Sequence, residues 1–89
     1  MQHGTEHARI QAEARYGLML DEHDFYAMAC DIVLTVAGDA LRAWLLSRQP
    51  NGREIWIVCV PHGPVVPVVW HPLNAMIVTV LPIHWRQPK

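Results

Sequence analysis

The chain has 89 residues and a formal net charge of −1, with six arginines and one lysine scattered along it. That balance speaks against the concentrated basic surface of a nonspecific nucleic-acid binder. No apolar run approaches the roughly 20 residues of a bilayer span, and the N-terminal Gln2, His3, Glu6 and His7 show no basic-then-apolar leader pattern. A soluble, cytoplasmic protein with no membrane contact is therefore expected.

In chain order, the first helix is expected from about Thr5 to Tyr16. Thr5 suits an N-cap, Glu6 suits the first turn, and Gly17 suits a left-handed C-cap. Ile10, Ala14 and Leu18 form a thin apolar stripe, with His7, Gln11 and Arg15 on the neighbouring ridge. A second helix starts at Asp21, with Glu22 and Asp24 in its first turn. Its core stripe is Phe25, Met28, Ala29, Ile32, Val33 and Val36, and Ala37-Gly38-Asp39 ends it.

Strands follow. Leu41–Arg48 and Glu54–Val60 flank Gln49-Pro50-Asn51-Gly52, a strong hairpin signal because Asn and Gly tolerate positive φ. Val65–Trp70 comes next, where Pro67 removes a backbone donor and predicts an edge strand or a bulge. Met76–Val80 has no breaker and reads as a central strand. The strands are apolar on both faces, so both faces are expected to be covered. The expected fold is α+β, with two helices packed on a four-stranded antiparallel sheet (ααββββ). It forms one domain over 1–89, with a core from about 5 to 82 and an irregular tail over 83–89.

Composition adds a constraint on partners. Apolar residues make up 52% of the chain and charged residues 17%, against about 25% charged in an average domain. Too little polar material is present to cover so small a body, which implies an apolar surface that meets a partner. A homodimer is expected, with Trp44, Trp56, Trp70 and Trp85 as interface candidates. Cys30 and Cys59 sit among apolar neighbours and read as buried free thiols.

Few residues carry chemistry. His7 is a candidate acid or base, since imidazole titrates near neutral pH, and Arg15 or Arg9 could clamp a phosphate. The plainer account of all three is a solvated helix face. Thr79 places a hydroxyl in an apolar strand, where it could face a phosphate; it is also an ordinary strand former. Cys59, His62 and His71, with His84, are the only zinc-like set, and their spacing fits no recognised finger. No metal or cofactor is expected. No Gly-rich phosphate loop, nucleophile elbow or catalytic carboxylate pair is present.

A resemblance links these pieces. Histidine and arginines on the first helix lead into Arg15-Tyr16-Gly17-Leu18. A capped helix follows, then a Trp44…Gly52…Trp56-Ile-Val58 hairpin and a closing Met76-Ile-Val-Thr-Val-Leu-Pro82. This pattern resembles the RelE/BrnT-type toxin superfamily and related small domains over about Thr5 to Pro82. The resemblance implies metal-independent RNA cleavage, with His7 as acid/base, Arg15 as phosphate clamp and Thr79 as strand hydroxyl; the partners expected are an RNA substrate and a protein partner or antitoxin. The near-neutral charge departs from the basic, ribosome-dependent members. The alternative is a non-catalytic, phage- or plasmid-borne accessory protein that dimerises or inhibits a protein partner through its apolar aromatic surface.

Overall fold

The computed structural model describes residues 3–82, with side chains from residue 6 onward; Trp85, His84, Arg86 and the tail over 83–89 lie outside the described residues. The elements are α1 (His3–Tyr16), α2 (Glu22–Ala37), β1 (Ala43–Arg48), β2 (Glu54–Cys59), β3 (Val65–His71) and β4 (Met76–Val80). The strands form one antiparallel sheet in the order β1-β2-β3-β4. The fold is α+β, with both helices ahead of the sheet.

Local chemistry explains the boundaries. Asp21 and Asp24 form a reciprocal capping box: each side chain accepts from the other residue's backbone N–H, at 2.9 and 3.0 Å. The bond from the Asp24 N–H holds the Asp21 carboxyl below the usual carboxylate range. Gly17 and Gly38 both end their helices at positive φ. In the β1–β2 turn, Gly52 alone takes positive φ; Asn51 contributes through its side chain, which accepts from the Arg53 N–H at 3.0 Å.

One face of the sheet meets the helices. Ala8 and Ala12 of α1 and Phe25, Met28 and Ile32 of α2 pack with Trp56, Val58, Val66, Val68, Trp70, Ile77 and Val80. The predicted α1 stripe is corrected: Ala8 and Ala12 are buried, while Ile10 and Ala14 are exposed. Small side chains let α1 lie close along β4, which it contacts far more than any other strand. Thr5 stands in the first turn of α1 rather than before it. On α2, Phe25, Met28 and Ile32 are buried as expected, but Val33 and Val36 are exposed. Trp56 and Trp70 lie within the chain's own core, so Trp44 is the one indole among the described residues open to a partner. Cys59 is exposed and Cys30 half-buried, both free, against the expectation of buried thiols.

The two outer expectations for the sheet are exchanged. β3, with Pro67, is interior, and β4 is an edge. Pro67 is tolerated because β4 stops pairing there. The Leu81 N–H donates to the Pro67 carbonyl at 2.9 Å. The reciprocal bond of an antiparallel pair would run from residue 67 to the Leu81 carbonyl, and proline has no proton to give. The Tyr16 hydroxyl donates to that carbonyl instead, at 2.6 Å. Burial raises the Tyr16 phenol's pKa, opposed by the nearby Arg15 charge, so the group stays a donor at neutral pH. β4 is apolar despite being an edge because α1 lies along it.

Tyr16→Phe should therefore cost about 1 kcal/mol in urea unfolding. In a Pro67→Ala background the same change should cost less, because the new N–H can serve the Leu81 carbonyl. A double-mutant cycle reads the difference.

Candidate functional site

His7, Arg15 and Thr79 occupy three different settings. His7 lies on α1 with its side chain exposed. Its row, with Gln11 and Arg15, lies between the Ala8–Ala12–Tyr16 row that meets the sheet and the Ile10–Ala14 row. Arg15 is two turns further on, about 12 Å along the axis at the usual helical rise. Its guanidinium Nη1 donates to the Val80 carbonyl at 2.8 Å. Val80 is out of bonding phase with Val68, because the next pair, Leu81 and Pro67, is the bonded one. Its carbonyl therefore points away from β3, and Arg15 caps the outer edge of the sheet.

Thr79 pairs with Val69 between two core-facing neighbours, Val68 and Trp70. A bulge at Val78 leaves Ile77 and Val80 both facing the helices. Thr79 thus stands on the face of the sheet away from α1, in a cross-strand row with Val69, Ile55 and Ser47. Among the described residues no hydrogen bond joins any two of His7, Arg15 and Thr79. Arg9 is exposed on α1. The zinc-like set is likewise dispersed. Cys59 and His62 lie near the start of β3 and His71 at its end, about 20 Å away by strand rise. No metal-binding cluster occurs among the described residues.

Among the described residues, a concave surface lies elsewhere, along one flank of α2. Two hollows meet at Ala75. One, about 550 Å³, is lined by Glu22, His23, Tyr26, Asn74 and Met76 among others. The other, about 560 Å³, is lined by Val33, Val36, Leu45, Arg48, Glu54, Trp56 and Trp70. The polar groups of the second hollow satisfy one another. The Glu54 carboxylate accepts from Trp56 Nε1 at 2.9 Å and from Arg48 Nε at 3.4 Å. What remains for a visitor is mostly apolar wall. This groove was not anticipated, because Val33 and Val36 fit the core stripe of α2 by spacing. The signal that was available is the cross-strand pair Arg48 and Glu54, which brackets the hairpin turn.

No protein-family model, curated protein or solved structure significantly matches the chain.

The settings of the two α1 residues predict different stability effects. His7→Ala should change unfolding free energy by less than about 0.5 kcal/mol, as for other exposed positions. Arg15→Ala removes the cap on the Val80 carbonyl and should cost about 1 kcal/mol. Equal effects from the two substitutions, read by urea titration, would contradict this assignment.

Proposed function

We propose that the chain is a non-catalytic binding module that engages a protein surface through its apolar side. The distribution of exposed apolar side chains carries this reading. Among the described residues, most of the large ones fall in a single stretch, from Val33 to Leu46: Val33, Leu34, Val36, Leu41, Trp44, Leu45 and Leu46. Isolated exposed hydrophobes are ordinary, whereas a concentrated set marks an interaction site. The mutually satisfied Arg48–Glu54–Trp56 group supports the same reading, since it leaves no unpaired charge within the apolar surroundings.

RNA cleavage in the manner of the toxins that the sequence resembles has less support. It would use His7 as base and Arg15 as clamp, with Thr79 near the same phosphate. His7 is free to meet a substrate, but Arg15 is engaged at Val80 and Thr79 stands across the sheet. Catalysis of that kind needs the groups within reach of one reacting centre.

The test is direct. Purified protein is incubated with RNA, with and without ribosomes, and expressed in a bacterial host alongside His7→Ala. Intact RNA and the same host growth for both proteins are expected. RNA cleavage or growth arrest that disappears in His7→Ala would overturn the binding reading and restore the enzymatic one.

A further inference from the structure

We propose that β1 is the docking strand for a second copy of this chain: two β1 strands pair antiparallel across a two-fold axis and join the two sheets into one. The inference rests on the binding-module reading and names the partner.

β1 is an edge strand of the described sheet. From Ala43 to Ser47 it carries no charge and no proline, the two commonest guards against edge pairing. Its central side chains are half-exposed on both faces. Leu45 points to the helix side beside Trp56, and Trp44 points to the other side beside Ile57. Val36 and Leu41 extend the patch on the helix side and ahead of the strand. With ordinary side-chain areas, the exposed apolar residues from Val33 to Leu46 present on the order of 600 Å², near the ~800 Å² per partner of a standard interface. Another strand would satisfy the unpaired backbone of the edge while its neighbours covered that surface.

The features of β1 select a second copy and a register. A bulge at Leu46 reverses the facing of the strand, so that Ala43, Leu45 and Arg48 belong to the helix side and Trp44 and Ser47 to the other. Antiparallel partners share a face. A two-fold axis between Leu45 and Leu46 sets Trp44 opposite Ser47, and Ala43 opposite Arg48, with faces matched in both pairs. An axis through Leu45 would set Ala43 opposite Ser47, with faces mismatched, and Arg42 opposite Arg48, with like charges together. In the matched register Arg42 meets Gln49 instead. The backbone agrees. The Ala43 N–H is turned out of the β1–β2 ladder but is taken by Thr35 Oγ1, at 3.1 Å, so the Ala43–Arg48 pair would bond through the Ala43 carbonyl and the Arg48 N–H alone. Arg48 is likewise out of phase with β2, because Gln49 and Arg53 are the bonded pair. The Ala43 carbonyl and the Arg48 N–H, which face outward, are the groups this register brings together.

Sedimentation equilibrium of the wild-type chain should give twice its 10.1 kDa mass. Hydrogen exchange of the Leu45 and Leu46 amides should slow at least tenfold between low and high micromolar concentration. Leu45→Lys and Leu46→Glu, each folded by circular dichroism, should each raise the dimer dissociation constant tenfold or more. Mixing the two should restore association, because the register sets position 45 of one copy opposite position 46 of the other. A monomer whose β1 exchange is independent of concentration would overturn the proposal, even if neither variant folds. A dimer that survives both substitutions, or a mixture that stays dissociated, would overturn the β1 register. The RNA test is independent of these results: cleavage by a β1-paired dimer would sink the binding reading and leave this one standing.

Discussion

The missing backbone proton at Pro67 organises one whole side of the molecule. It leaves the Leu81 carbonyl without its strand partner, and Tyr16 supplies the replacement from the end of α1. That bond brings α1 down onto β4, where Ala8 and Ala12 allow close packing and Arg15 reaches the outward carbonyl of Val80. Two consecutive carbonyls at the end of β4 are thus satisfied by two consecutive side chains of the helix. A buried or half-buried carbonyl without a donor is costly, so this arrangement fixes the helix against the strand as well as holding it there. It also gives Arg15 a structural task, which weakens any account in which the same guanidinium waits for a phosphate.

Elements whose signals are local were legible in the sequence. The Asp21 cap, the Gly38 stop and the Asn51-Gly52 turn all act within a few residues of themselves, and each stands where it was expected. The order of helices and strands followed from them. What was not legible depends on partners far away in the chain. Pro67 predicts an edge strand or a bulge because proline withholds a ladder bond. The rule neglects that an interior strand can withhold one where its neighbour is ending. The apolar sequence of β4 was read as interior burial, whereas its cover comes from α1. Ala8 and Ala12 give no stripe signal because alanine is weakly hydrophobic; their role here is smallness, which no hydropathy pattern reports.

The candidate site was less legible than the fold for a related reason. His7 and Arg15 share a ridge, and a helical spacing argument ends there. Whether Thr79 faces that ridge depends on the pleat of β4, and the bulge at Val78 alters the pleat. Val33 and Val36 raise the same difficulty on α2. Their spacing places them in the core stripe, but α2 crosses the sheet from the start of β4 to β1. Toward β1 that flank overlooks a hollow walled by Leu45, Trp56 and Trp70 instead of packing on them, so the stripe continues beyond the surface that covers it. Periodicity identifies the face that seeks cover. It does not tell where the covering surface stops.

The two edges of the sheet make the same demand and receive different answers. Each edge strand exposes backbone groups that need donors or acceptors, and each carries apolar side chains that need cover. At β4 the chain meets both demands with α1: alanines pack, and Arg15 and Tyr16 bond. At β1 it meets only the first part of one, through Thr35, whose hydroxyl accepts from the Arg42 and Ala43 N–H groups at 3.0 and 3.1 Å and secures the entry to the strand. Beyond that point Trp44, Leu45 and Leu46 remain half-exposed. The described residues hold two helices, and α2 is committed to the core through Phe25, Met28 and Ile32. Among the described residues, exposed apolar side chains also occur singly at Ile10, Met19, Tyr26, Val65 and Leu73, but more than half of the large ones lie between Val33 and Leu46. That group gathers at the edge that the second helix reaches but does not close, and this asymmetry is the physical argument behind the proposal that β1, rather than the α1 ridge, meets a partner.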